Sequence, residues 1–273
     1  MTDNEFSFAG KSVVVTGASG GIGSAISLAL AKSGARVWLA DINEGSLSKI
    51  SQQVTESGGT ARPAQLNVAV PSSWQSLAQA IEAEGPLHGL VNCAGVSFRV
   101  GIEATGDEDW QRVLSVNLSG VFYGMKYLAP ALAMAGSASI VNIASMWANL
   151  GYLSATYGAS KWGVRGLTKT GALEFAERGI RVNSIHPGPI DTPLMWQGND
   201  QAYIEATIKA VPMGRYAAAA EVANAVKFLL SDLASYVNGA ELHVDGGITS
   251  GGLCHRIMSD ALPVAMLSAA DTR

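Results

Sequence analysis

The sequence predicts an α/β fold, a single-domain doubly wound parallel sheet with helices on both faces. Three observations predict it. Short β-branched runs alternate with longer helical segments along most of the chain, the order a parallel sheet requires. A glycine-rich turn, T-G-A-S-G-G-I-G over 16–23, follows the first run at once and opens a helix. Polar or glycine residues (Gly17, Asp41, Asn67 and Asn92) stand at the ends of four successive strands. Ligands of open parallel sheets bind beyond those ends.

The first strand, over 12–16 (S-V-V-V-T), is β-branched and reads as buried. The glycines that follow let backbone amides approach a pyrophosphate, and the N-terminus of the helix over 24–32 favours its charge. The spacing is G-x-x-x-G-x-G rather than G-x-G-x-x-G, and a plain tight turn is the competing explanation. The second strand, over 36–40, ends at Asp41. An acid roughly twenty residues past the glycines suits the ribose diol of NAD, with capping of the next helix as the alternative.

A polar amphipathic helix over 44–57 leads to a third strand over 61–66, ending at Asn67 and Val68. A helix over 71–84 carries Pro71 in its first turn. The fourth strand, over 87–91, runs into N-C-A-G at 92–95. Residues 107–135 read as one long helical region broken by glycines and Pro130. Asn117 sits there in V-N-L-S-G, and a buried amide among apolar neighbours must find partners. The fifth strand, over 139–143, leads to Ser145. The helix bearing Tyr157 runs to about residue 178 and is rich in small residues that allow close packing. A sixth strand over 181–186, a stiff turn P-G-P-I-D-T-P over 187–193, a helix over 219–231 and a last strand over 241–244 complete the order. No linker or repeat divides residues 1–273, so one domain is expected, with its core over about 8–247. Residues 248–273 follow the last strand without an assigned place.

Composition removes several function classes. Hydrophobic residues are 48% and charged residues 15%, which predicts a large core and subunit contacts. The net charge of −4 with no basic cluster speaks against nucleic acid. Cys93 and Cys254 give neither a disulfide framework nor metal spacing, and Cys254-His255 offers too few ligands, so no metal is expected. The N-terminus, M-T-D-N-E-F, has no apolar signal segment, and a cytoplasmic location is expected. Residues 127–160 lack every charged residue and histidine. However, Pro130, Gly136, Asn142 and Ser145 interrupt the stretch, so a buried helix end and strand are expected instead of a membrane span.

The chemistry concentrates at Ser145, Tyr157 and Lys161. Tyr157 and Lys161 share one helix face, about 6 Å apart along the axis. A free phenol with a pKa near 10 is a poor base at neutral pH, and a nearby ammonium favours its phenolate. Lowering that pKa by roughly three units takes about 4 kcal/mol. A hydroxyl at the end of a strand, Ser145, can donate to a substrate oxygen while Tyr157 moves the proton.

Together these motifs resemble the short-chain dehydrogenase/reductase family over about residues 8–247. The matches are the 16–23 turn, N-C-A-G at 92–95, Asn117, Ser145, Tyr157 with Lys161, and P-G-P-I-D-T over 187–192. The runs Y-G-A-S-K-W-G-V-R-G-L and N-S-I-H-P-G look most like bacterial hydroxysteroid and secondary-alcohol dehydrogenases. The resemblance implies a Rossmann fold, a homotetramer and NAD as cofactor. It implies that Tyr157 exchanges the proton and that Ser145 polarises the substrate oxygen. Lys161 would hold the nicotinamide ribose and depress the Tyr157 pKa, and Asn117 would hold a water on a path to Lys161. Gly17, Ser19, Ile22 and Gly23 would line the pyrophosphate. Asp41, Asn67, Val68, Asn92 and Ala94 would surround the adenosine, and Pro187, Gly188, Ile190 and Thr192 the nicotinamide. Asn67 stands where the family often has Asp, and Cys93 replaces the commoner Asn. Trp147, Phe98, Tyr152, Met195, Trp196 and Tyr203 are candidates to line an apolar substrate pocket, with core or subunit packing as the alternative. His186 reads as packing behind the site. The expectation is an NAD(H)-dependent oxidoreductase that interconverts a small-molecule secondary alcohol, apolar and cyclic or aryl-bearing, and its ketone. The alternatives are a 3-oxoacyl thioester reductase and a catalytically idle NAD-binding protein.

Overall fold

The computed structural model describes residues 6–196 and 200–261. Seven parallel strands form one sheet in the order β3-β2-β1-β4-β5-β6-β9. They are β1 (Ser12–Thr16), β2 (Arg36–Asp41), β3 (Thr60–Gln65), β4 (Gly89–Asn92), β5 (Ala138–Ile143), β6 (Ile180–Pro187) and β9 (Glu241–Val244). A short parallel pair, β7 (Ile190–Asp191) and β8 (Ala217–Ala218), stands apart. Chain direction across the sheet reverses between β1 and β4, which opens a crevice at their C-terminal ends.

Two apolar layers hold the sheet between helices. On one face Trp74 and Leu77 of α3 (Pro71–Glu84), Leu128 and Leu132 of α5 (Gly120–Ala133) and Val164 of α6 (Ala155–Glu174) pack on Val14, Leu90 and Ile140. On the other, Ile26 and Leu30 of α1 (Gly21–Lys32), Leu47 and Val54 of α2 (Glu44–Glu56) and Val226 and Leu229 of α9 (Ala219–Leu230) cover Val13, Val15 and Val141. All six residues of β5 are buried, as the uncharged run predicted. Pro63 lies in β3, an edge strand, where a missing N–H donor is tolerated.

Some expected elements change form. The single helical region over 107–135 is α4 (Asp107–Leu114), a π-helical turn over Ser115–Ser119, and α5. The widened turn holds Asn117, fully buried. Helix α6 stops at Glu174 and a 3₁₀ turn, Ala176–Arg178, carries the chain to Gly179, whose φ of +71° ends the helical path. The glycine turn begins α1 at Gly21, three residues before the expected start at 24. Past the P-G-P turn, α7 (Pro193–Trp196) and α8 (Gln201–Ala210) form where no helix was expected. The unplaced tail supplies α10 (Ile248–Ala261), interrupted at Gly251 and packed on α8; its last part, 262–273, lies outside the described residues. Among the described residues no helix is long and apolar enough to cross a membrane.

Candidate active site

A cleft of about 510 Å³ opens at the C-terminal ends of β1, β2, β4, β5 and β6. Its floor at one end is the glycine turn. Gly17 has φ +63°, and a Cβ there would sit 2.8 Å from Ala94 Cα. A Cβ on Gly23 would come within 2.0 Å of the Gly17 carbonyl oxygen, so the spacing serves close backbone approach. Gly20 caps α1 without a side-chain acceptor, and Gly21, Ile22 and Gly23 of its first turn line the cleft. First-turn amides of a helix are unpaired donors that suit a phosphate.

Asp41 closes this end. Its Oδ2 accepts from Ser19 N at 3.1 Å and Ser19 Oγ at 2.7 Å, and its Oδ1 accepts from Asn43 N at 3.1 Å. Asn43, not Asp41, caps α2 by accepting from Ser46 N at 2.9 Å. The carboxylate is therefore free of the helix and lines the cleft beside Ile42, Asn67, Val68 and Ala94. Asn67 is part of its own turn, with Oδ1 accepting from Ala69 N at 3.0 Å.

Asn92 corrects one expectation. It does not line the cleft; it is buried beneath it, donating through Nδ2 to Asn142 Oδ1 at 2.9 Å. Asn142 donates onward to Thr168 Oγ1 at 3.0 Å, so Asn92 ties β4 to β5 and α6. Its neighbours Cys93 and Ala94 face the cleft instead, held by their amides on Thr16 Oγ1 at 3.0 and 3.1 Å.

At the other end Ser145, Tyr157 and Lys161 converge. Ser145 follows β5, its Oγ accepting from Trp147 N at 3.2 Å, and its hydroxyl stands close enough to Tyr157 to favour ionisation of the phenol. Ser154 caps α6 through the Tyr157 amide, at 3.4 Å, and places Tyr157 in its first turn. One turn on, Lys161 Nζ lies 5.6 Å from the Tyr157 ring centroid and donates to Ile143 O at 2.8 Å. Burial pushes the lysine down to about 8. Burial also pushes the Tyr157 hydroxyl up, and the Ser145 hydroxyl is the largest opposing influence. Among the protein's own groups Ser145 acts most to favour the phenolate, and desolvation outweighs it; the depression expected of Lys161 is one aided by the positive charge of the nicotinamide, which the chain alone does not supply.

Asn117 lies behind these groups. Its Oδ1 accepts from Val96 N at 2.8 Å, and its Nδ2 donates to Val96 O at 2.9 Å and Ser160 Oγ at 3.2 Å. The amide thus braces the loop after β4 against α6, and the widened π turn is the local form that allows both contacts. Across Gly95, a built Cβ would lie 3.4 Å from Asn117 Oδ1 and 3.7 Å from Lys161 Nζ. Pro187, Gly188, Ile190 and Thr192 line the wall between the two ends.

The substrate candidates divide. Trp147 stacks on Tyr152 at 4.3 Å, and Tyr152 meets the Tyr157 ring edge-on at 6.0 Å. Met195 lines the cleft, and Tyr203 reaches in from α8 beside Tyr152. Trp196 and Phe98 do not line it. Trp196 donates to Asp191 Oδ1 at 2.8 Å and packs on Tyr216; Phe98 lies under the Arg112 guanidinium, 5.6 Å away, and its carbonyl accepts from Ser154. Sequence reasoning missed Arg99, Met146, Leu194 and Thr207, all on the cleft wall. Arg99 stands close enough to Tyr157 and Tyr203 to favour ionisation of both. A lone cation just past N-C-A-G was its available signal. Among the described residues no cluster of His, Cys, Asp and Glu is placed to hold a metal.

The sequence and fold are similar to those of known proteins. The family model described as enoyl-(acyl carrier protein) reductase matches residues 17–249. Cyclohexanol dehydrogenase of Acinetobacter sp. (strain SE19) is 41% identical over 246 residues, 89% of this chain and 96% of that protein. The chain belongs to the short-chain dehydrogenase/reductase family. Another member, the 3-alpha-(or 20-beta)-hydroxysteroid dehydrogenase of Mycobacterium bovis (strain ATCC BAA-935 / AF2122/97), is 40% identical over 249 residues, 90% of this chain and 92% of that one. The crystal structure of a gluconate 5-dehydrogenase from Burkholderia cenocepacia J2315 in complex with NADP and tartrate superposes with a TM-score of 0.87 at 32% identity, covering 91% of this chain and 99% of that one. As a short-chain dehydrogenase/reductase the chain is an oxidoreductase acting on CH–OH groups, and its dinucleotide is of the nicotinamide type.

Proposed function

We propose that the protein uses NAD(H) to interconvert a cyclic secondary alcohol and its ketone. The observation that carries the reading is one cleft with two ends. A glycine cradle closed by Asp41 lies at one, and Ser145, Tyr157 and Lys161 converge at the other.

Gly17, Ser19, Ile22 and Gly23 hold the dinucleotide's phosphates, Asp41, Asn67, Val68 and Ala94 its adenosine, and Pro187, Gly188, Ile190 and Thr192 its nicotinamide. When bound, the cofactor supplies the hydride acceptor or donor. The chain's residues do the remaining work. Ser145 Oγ holds the substrate oxygen by a hydrogen bond, and Tyr157 Oη exchanges the proton with that oxygen. Lys161 sets its charge beneath the Tyr157 ring, and Asn117 fixes the loop that faces Lys161. Burial favours the protonated form of Tyr157, the form that donates to the substrate oxygen when a ketone is reduced.

Asp41 supports NAD over NADP. A 2′-phosphate would meet a carboxylate already engaged by Ser19, whereas ribose hydroxyls can donate to it. The cations of the lining, Arg99 and Lys161, are both at the far end. Trp147, Tyr152 and Met195 offer flat apolar walls for a ring, and relatives that act on cyclohexanol and hydroxysteroids support a ring-bearing substrate. One continuous domain assembled as a homotetramer is the expected form. The free thiols Cys93 and Cys254 suit a reducing cytoplasm.

The test is a panel of cyclic secondary alcohols and ketones assayed with NAD(H) and NADP(H). Turnover of ring substrates with kcat/KM at least about tenfold higher for NADH than NADPH is expected, a difference of about 1.4 kcal/mol. Equal values would overturn the cofactor assignment, and an inert protein across the panel would overturn the reaction.

A further inference from the structure

The turn that carries Ser145 is gripped from behind by a histidine that does not line the cleft. His186 lies on β6, one residue before Pro187, and is fully buried. Its Nδ1 is 3.2 Å from the Ser145 carbonyl oxygen, and its Nε2 is 2.9 Å from Ser184 Oγ. A carbonyl only accepts, so the contact with Ser145 needs the hydrogen on Nδ1. Nε2 is then the acceptor for the Ser184 hydroxyl, and one neutral tautomer satisfies both neighbours. No ring nitrogen is left to take part in proton transfer.

The surroundings keep the ring neutral. Burial, then the His243 ring 5.0 Å away, push His186 down to about 4. Arg165 acts in the same direction, while Glu241 and the Ser145 carbonyl oppose it.

We propose that His186 is a positioning residue that aims the Ser145 hydroxyl at the substrate oxygen. Its Nδ1–H joins Ala148 N, 2.9 Å away, in holding the Ser145 carbonyl and with it the extended backbone (φ −172°, ψ 158°) from which Oγ meets Trp147 N and lines the cleft beside Tyr157. The inference rests on the reading of Ser145 given under Proposed function. Two competing roles make different predictions. An acid–base group would leave its mark on the pH profile. A residue that only fills space would be replaced without loss by an apolar side chain of similar size.

The test is a double-mutant cycle on the full chain with NADH and a cyclic ketone, once the wild type is shown to turn over. His186→Leu removes both hydrogen bonds at similar volume. It is expected to lower kcat on the order of tenfold with KM for NADH unchanged. His186→Asn keeps a short N–H donor and is expected to recover most of that loss. In the Ser145→Ala background the same His186→Leu change is expected to cost no further activity, because the hydroxyl it aims is gone. The pH profile of His186→Asn is expected to match the wild type. Losses that multiply in the double mutant, no recovery by a folded His186→Asn, or a vanished pH limb would overturn the role. Nitrogen NMR of the imidazole serves as a readout independent of turnover. A neutral Nδ1–H ring from pH 5 to 8 is expected, and an Nε2–H tautomer contradicts the contact even if the protein reduces no ketone.

Discussion

At the scale of single residues the site is a balance between burial and hydrogen bonding. Tyr157 is held above its ordinary range by burial, with Ser145 opposing. Alcohol oxidation needs the phenolate, so its rate rises with pH until Tyr157 titrates, while ketone reduction falls over the same range. Ser145→Ala removes the hydroxyl that favours the phenolate. The alkaline midpoint of its oxidation profile is therefore expected to move upward, and a kcat–pH series checks this; a midpoint that stays or falls contradicts it. Lys161 is displaced in the opposite sense, from 10.5 to about 8 by burial. The unfolded chain then binds the extra proton between those values, so stability rises with pH across about 8 to 10.5. The full cost of burying the charge, on the order of 3 kcal/mol, is present below about 8. Lys161→Met is expected to abolish turnover yet to be about as stable at pH 7, since the lost charge-assisted donor to Ile143, about 1.5–3 kcal/mol, roughly offsets the relieved burial cost. Urea denaturation measures it; a loss of several kcal/mol would show that the ammonium stabilises the fold.

At the scale of elements, Glu241 on β9 joins the strand to α6 and to the Ser145 turn. Burial would raise its carboxyl, but hydrogen bonds from Arg165, Lys169 and Asn149 outweigh that and hold it down at about 2. Its contribution is present above the ordinary carboxylate range and is lost as pH falls through about 2. Glu241→Gln is expected to lower Tm by several degrees at pH 7 and to flatten the acid limb of stability, measurable by calorimetry. An unchanged Tm would mean that the cluster adds nothing. Elements also show where reading the sequence succeeded. The β1 turn, Asp41 and the Tyr157 helix were legible because each is a local pattern: a run, a turn, a four-residue spacing. Asn92 was misplaced because a strand alternates its faces, and whether a residue at its last position points to the cleft or beneath it depends on the register with β5. The π turn at Asn117 was invisible for a similar reason, since Val96 and Ser160, which it contacts, are distant in sequence. Helix α8 was missed because Q-A-Y-I-E-A-T-I-K-A buries chiefly Ile204 and shows no continuous apolar face.

At the scale of the whole molecule, α5 and α6 carry apolar side chains that the rest of the described residues do not cover. Phe122 is 45% exposed, Trp162 48% and Leu173 83%. Such a face on two long helices is what a subunit contact requires. Light scattering is expected to give a mass near four chains of 28.2 kDa, and the double variant Phe122→Glu/Trp162→Glu is expected to reduce it. A monomeric wild type contradicts the assembly. Turnover depends on Tyr157 carrying the proton in a cleft that binds NADH without it. Tyr157→Phe removes one oxygen from a side chain whose ring packing is kept, so the most direct measurement is its single-turnover rate beside its affinity for NADH. A rate lowered by about 10²- to 10⁴-fold with NADH bound as in the wild type is expected; near-wild-type turnover would contradict the role of Tyr157 as the proton carrier.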